Sequence, residues 1–298
     1  TTELELSSGE WNRITADVLE LGRGSAGAIT VSAAVADTTA PDTLHLITGD
    51  SVSGSGSIGV ADLAVEADGA VTLDNTGNAL GSVAVSAGGD VTLKEADGFV
   101  VDDVDGVEGV VTTLGKVALE AGGDVTVNDS VDSGADVSAT TTVAITLTAD
   151  DALLTIAAGA EVASTGGTHT YTADKMDLGG TITATGRGVI LQPNEAGEAV
   201  TLGSGSDTAA DTLELSDAEL DGITADFLQI GRDDGSASGA VTVTTETISL
   251  ASGAVPTLHL LTGDKVEDTD SGALAVDHLA VEAGGAVTLD NDTSNALG

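Results

Sequence analysis

The chain has 298 residues, 41% of them hydrophobic, with 49 acidic side chains against 8 basic ones and a formal net charge of −41. A polyanion of this density is repelled by nucleic acid and by anionic membrane, which excludes binding to either as a main function. With one Trp, one Tyr, two Phe and no Cys, neither an aromatic-filled core nor disulfides nor thiol chemistry is available, so the core has to be a thin layer of small and β-branched side chains.

The chain opens Thr1-Thr2-Glu3-Leu4 with neither a Met nor an apolar leader, and it reads as a piece of something longer. Leu4-Glu5-Leu6-Ser7 returns as Leu213-Glu214-Leu215-Ser216, and Ile14-Thr15-Ala16-Asp17 as Ile223-Thr224-Ala225-Asp226. Further along, Leu44-His45-Leu46 returns as Leu258-His259-Leu260, Leu63-Ala64-Val65-Glu66 as Leu279-Ala280-Val281-Glu282, and Asn78-Ala79-Leu80-Gly81 as Asn295-Ala296-Leu297-Gly298. Self-similarity of this kind divides the chain into a first large repeat unit, 1–209, and a partial second unit, 210–298, with small insertions gathered in loops. Both ends fall inside recurring text, from which the native molecule is expected to continue in both directions.

Within the units a shorter phrase recurs, starting at Leu63, Val83, Val117 and Leu279, and the first two starts lie 20 residues apart. Apolar residues alternate in it (Leu63, Val65, then Val71, Leu73), which puts them on one face of a strand with Glu66 and Thr72 on the other. Two short strands about a Gly-rich corner, repeated every 20 residues or so, predict an all-β fold: a right-handed parallel β-helix, or β-solenoid. The alternative is a string of tandem immunoglobulin-like β-sandwiches, since strands joined by Gly122-Gly123 or Gly284-Gly285 also describe hairpins. The short period, the scarcity of aromatics and the presence of only three prolines favour the solenoid. About 14 coils at ~4.8 Å each would make a rod of roughly 65–70 Å. Residues 97–109 read as an acidic insertion between coils. The longest stretch without charge, 247–263, contains Pro256 and His259 and does not describe a membrane span.

In Leu-His-Leu the alternation sends the leucines inward, so His45 and His259 are expected on the solvated surface. His169 and Tyr171 share a face in Thr168-His169-Thr170-Tyr171-Thr172 and read as an exposed pair. The recurring Gly22-Arg23 and Gly231-Arg232 place an arginine beside acidic neighbours such as Glu20 or Asp233. Parallel β-helices also carry polysaccharide lyases and hydrolases, so a carbohydrate-active enzyme is the reading from a different class. A lyase needs clustered bases to abstract a proton and neutralise the sugar carboxylate, and the few basic residues here are spread thinly. No catalytic residue is assigned, and no cofactor is required. Calcium is the better chemical hypothesis: Asp102, Asp103, Asp105 and Glu108 place four carboxylates in a loop containing Gly106, the oxygen-rich setting that hard cations need.

The stretch 213–226, followed by Leu228-Gln229-Ile230-Gly231 and Gly239-Ala240-Val241-Thr242-Val243, resembles the repeats of very large filamentous-haemagglutinin-type bacterial adhesins. The preceding Gly179-Gly180-Thr181-Ile182, Gly188-Val189-Ile190-Leu191 and Ala199-Val200-Thr201-Leu202 fit the same pattern. The resemblance implies a right-handed parallel β-helix in a bacterial exoprotein, exported through an outer-membrane secretion partner. It also implies an extracellular or cell-surface fibre that is structural and adhesive, self-associates end to end or laterally, and meets surface polysaccharide or another cell. A variant drops adhesion and makes the segment the shaft of a purely structural filament or matrix. The acidity predicts saline or cation-rich surroundings, where a Debye length of about 10 Å or less relieves self-repulsion.

Overall fold

A computed structural model describes residues 4–36, 41–133, 144–232, 235, 237–250, 254–269, 271–291 and 295–297, with the backbone alone at 36 and 144–151. The chain winds as a β-solenoid of about 11 turns with ~22 residues per turn. All strand ladders between named strands are parallel; the antiparallel exception among the described residues is one isolated bridge, Val104 with Val107. Immunoglobulin-like sandwiches are built from antiparallel hairpins, so that alternative is overturned. The expected count of about 14 coils is also too high, because some turns keep to the 20-residue spacing while a few take up much more chain, 25 residues from Val85 to Val110 through the 102–109 excursion and 41 from Ile182 to Ile223.

Alternation explains the local structure. Leu63 and Val65, then Val71 and Leu73, point into the bore and are buried, whereas Glu66 is exposed. The two halves of the phrase do not pair with each other as a hairpin would. Leu63 pairs with Val83 on the next turn and Val71 with Val91. Stacked turns therefore generate columns of like residues. One inward column runs Leu46, Val65, Val85, Val110, Val131, Val162, Ile182, Ile223. A second runs Val52, Val71, Val91, Val117 and, past the register position of 145, His169, Val189, Leu228, Leu258, Leu279. Both cross the boundary at residue 209 without a break.

Among the described residues each large unit carries one short helix, Ser8–Trp11 and Asp217–Asp221, closed by the same capping box of Ser7 with Glu10 and Ser216 with Glu219. Trp11 in the first helix and Leu220 in the second are buried in the hydrophobic core at equivalent places in the two units. Glu219 also accepts the backbone N–H of Leu178 through Oε1 at 3.2 Å, which ties the second helix to the strand Thr168–Leu178 of the first unit.

Candidate functional site

The described surface is broken most clearly by residues 102–109. Val100 and Val101 pair with Ser82 and Val83, and Val110 resumes opposite Val85, so the excursion leaves the sheet where a partner for Ala84 would stand. It returns as a tight hairpin. Val104 and Val107 exchange two backbone hydrogen bonds of 3.0 Å, with Asp105 at φ 51° and Gly106 at φ 82°. Positive φ at both central residues is what a type I′ turn requires, and Asp-Gly supplies it.

The hairpin lies back over the outer face of the three preceding turns, past Ala84 and Ala64 to His45. Val104 and Val107 form a small apolar cluster with Ala64 and Ala84, and Asp105 Oδ2 sits 2.8 Å from His45 Nδ1. His45 Nε2 lies 3.1 Å from Glu66 Oε1, close enough for an ion pair although the angle does not make a hydrogen bond. His45 does point outward between the buried Leu44 and Leu46, but it is only 5% exposed. The expectation of a solvated histidine is corrected here: the hairpin covers it. Its repeat counterpart His259 keeps 21% of its side chain exposed and has Glu282 Oε1 at 3.5 Å.

The four carboxylates proposed for calcium are placed separately. Asp102 Oδ1 accepts the N–H of Asp103, Asp102 Oδ2 accepts from the Asn128 amide, and Asp103 Oδ1 accepts the N–H of Gly106. Asp105 turns to His45, and Glu108 is exposed. Among the described residues no three His, Asp or Glu side chains are gathered as a metal site would gather them.

His169 and Tyr171 are corrected more sharply: both are fully buried and point into the bore. Ser164 Oγ is 2.7 Å from His169 Nε2, and His169 Nδ1 is 3.0 Å from the Tyr171 hydroxyl, with the two rings edge to face. Burial pushes the His169 pKa down to about 4 and the Tyr171 phenol well above its ordinary value. The ring is therefore neutral at pH 7, accepting at one nitrogen and donating from the other. Aligning 168–172 with Gly188-Val189-Ile190-Leu191-Gln192 would have shown the inward placement, since His169 falls on Val189 and Tyr171 on Leu191.

Two acidic clusters escaped the sequence reading. Glu198, 5% exposed, accepts the Glu195 N–H at 3.3 Å, and burial together with the nearby Asp174 raises its pKa to about 7. Asp207, in a left-handed conformation at φ 43°, is raised to about 6 by burial and by Glu219 and Glu214. Glu214 itself is saturated with donors, from Ser204, Ser206 and the N–H groups of Thr208 and Ala209, and its pKa is lowered.

Three of the basic residues make contacts within the solenoid. Lys94 pairs with Glu120 at 2.7 Å and Lys265 with Glu267 at 2.6 Å. Arg232 donates to the carbonyls of Pro193 and Asn194 at 3.2 and 2.9 Å; Asp233, its expected neighbour, lies outside the described residues. A shallow groove of about 700 Å³ is lined by Gly81, Gly98, Gly122 and Gly123 with Asp97 and Asp124. Packing accounts for all four glycines, because a Cβ on Gly81, Gly98, Gly122 or Gly123 would strike the carbonyl of Ala61, Asp124, Ala96 or Asp97 on the adjoining turn. No helix among the described residues is long and apolar enough to cross a membrane. No family model, no curated protein and no solved structure matches the chain.

Proposed function

We propose that the chain is a repeating segment of a bacterial extracellular or cell-surface fibre, a structural element that performs no catalysis. The observation that carries this reading is the pair of inward columns that pass through residue 209 unbroken, from Ile182 to Ile223 and from Val189 to Leu228. A repeat whose units stack without a linker transmits stiffness, and its stability accrues from nearest-neighbour contacts between turns. The shaft is the better supported half of the proposal, because the conspicuous polar groups make bonds within the solenoid. Adhesion, export through an outer-membrane partner and contact with polysaccharide or another cell rest on the resemblance to filamentous-haemagglutinin-type repeats. Calcium at Asp102, Asp103, Asp105 and Glu108 has the least geometric support, since Asp102 and Asp103 already accept backbone N–H groups.

Two measurements test the proposal. Antibody raised against the chain, applied to intact and to permeabilised cells that make it, should label both equally; label that needs permeabilisation removes the surface assignment. Cryo-electron microscopy of the native material should show a continuous rod with rungs near ~4.8 Å. Separate beads at fixed spacing would remove the fibre.

A further inference from the structure

Among the residues whose side chains are described, the second inward column is aliphatic at every position from Val52 to Leu279 except one, His169, which stands next to Val189. Beside it runs a column of Leu73, Leu93, Leu119 and, past the register position of 147, Tyr171, Leu191, Ile230 and Leu260, again with one polar member on the same turn. A third, Ala87, Thr112, Ser133, Ser164, Ala184 and Ala225, supplies the hydroxyl that meets them. Two aliphatic columns thus turn polar on one turn, at His169 and Tyr171, and these two side chains join Ser164 of the third column, which follows Thr112 and Ser133, in one hydrogen-bonded chain.

The hydrogen-bond inventory of that chain suits a neutral imidazole. One ring nitrogen donates and the other accepts, and the two hydroxyls adapt to either arrangement. A protonated ring donates from both nitrogens, so the Tyr171 hydroxyl has to accept from it and loses His169 as its own acceptor. The described groups that face the ring are Ser164 from the strand Glu161–Thr165, Tyr171 from its own strand, and Val189 from the strand Thr181–Gln192, with Ile145 its register partner on the remaining side. None of these carries a carboxylate to balance a charge.

We propose that this chain is an acid-sensitive seam: protonation of His169 opens the turns built on 161–165 and 168–178, while turns farther along the solenoid stay stacked. Burial alone accounts for the depressed pKa of about 4, against 6.5 for the ordinary imidazole. The folded state therefore binds fewer protons than the open state between those values. The stability this residue contributes is fully present above pH 6.5 and is lost as pH falls toward 4. Glu198 and Asp207 act in the opposite sense, because acids with raised pKa gain stability on protonation. An acid-induced opening centred on His169 cannot come from them. In a solenoid each turn contacts only its neighbours, so opening can stay local.

The test is hydrogen exchange read by mass spectrometry at pH 7 and pH 4.5, corrected for the intrinsic rate, on the intact chain. Peptides covering 161–178 should lose roughly ten- to a hundredfold protection at pH 4.5, about one decade for each pH unit below 6.5, while peptides covering 44–73 should not. His169→Val restores the aliphatic column and should abolish the acid response while keeping the pH 7 pattern. Ser164→Ala keeps the imidazole and should retain the response, which separates protonation from a general loosening of the turn. Equal acid sensitivity in H169V, or protection lost evenly along the chain, overturns the proposal.

Discussion

Asn78 and Asn295 make the same bond in the two large units. Asn78 Oδ1 accepts the backbone N–H of Ile58 at 2.8 Å, and Asn295 Oδ1 accepts that of Leu274 at 2.7 Å, each reaching one turn back along the solenoid. Asn78 also donates from Nδ2 to the carbonyls of Leu73 and Lys94, so one buried side chain pins three turns. A corner needs such a clamp because the chain there leaves the ladder and its backbone groups would otherwise be buried without partners.

Asn78→Ala should therefore destabilise the chain by about 2–3 kcal/mol, the cost of leaving buried backbone groups unsatisfied. Asn78→Asp should fall in the same range, since it keeps the acceptor for Ile58 but loses both donors. Urea melts followed by far-ultraviolet circular dichroism check both. A change of under about 0.5 kcal/mol for N78A, the range of an ordinary surface substitution, would show that water replaces the clamp.

The hairpin over His45 makes a second prediction. Among the four histidines, His278 is exposed, His259 keeps part of its surface, and His45 and His169 are buried. Acylation by diethyl pyrocarbonate, followed residue by residue by mass spectrometry, should proceed in that order. Asp105→Ala together with Val107→Ala removes the tip contact and one of the two valines on Ala64 and Ala84. The rate at His45 should then rise toward that of His259, with His169 unchanged. An unaltered rate at His45 would mean that the hairpin is not what shields it.

Glycine offers a contrast between strain and collision. Gly231 has φ 92°, and a Cβ there would run into the carbonyl of Leu261 on the next turn, just as Gly22 meets that of Ile47 in the first unit. Gly106 has φ 82° but open space around it. Gly106→Ala should cost about 1–2 kcal/mol, the penalty of left-handed backbone for an L residue. Gly231→Ala should cost clearly more, because the turns must also separate. Melts of the two variants check the order, and equal losses would show that conformation alone decides.

The inward columns were legible because period-2 alternation assigns faces without any knowledge of the partners, and Leu63, Val65, Val71 and Leu73 all lie where it puts them. The short helices were also written locally, in Ser7 with Glu10 and Ser216 with Glu219, but the capping box went unread among repeating strands. Burial of His45 was not legible. It depends on a hairpin that leaves the sheet three turns later and folds back, and no local pattern reports such a return. Glu198 and Asp207 were hidden by abundance: among 49 acids, only their surroundings distinguish the few, Glu95 and Asp132 with them, whose pKa burial raises.

Glu198 carries the last prediction. Its pKa is raised to about 7, first by burial and then by Asp174, so between the ordinary carboxylate value of 4.5 and 7 the folded chain binds a proton that the unfolded chain releases. A group of this kind contributes stability that is complete below pH 4.5 and lost as pH rises through 7. Above pH 6.5 the opposing effect of His169 has levelled off, and Asp207, raised to about 6, is mostly ionised. The interval from pH 6.5 to 8 therefore isolates Glu198. Glu198→Gln keeps an oxygen for the Glu195 N–H and removes the charge, so at pH 8 it should melt a few °C higher than the parent chain, at about 2–4 °C per kcal/mol for a chain of this size. At pH 5, where the parent is protonated at this position, the two should melt together. A gain of the same size at both pH values would show that E198Q acts through packing, and no gain at pH 8 would show that the carboxylate is solvated or neutralised there.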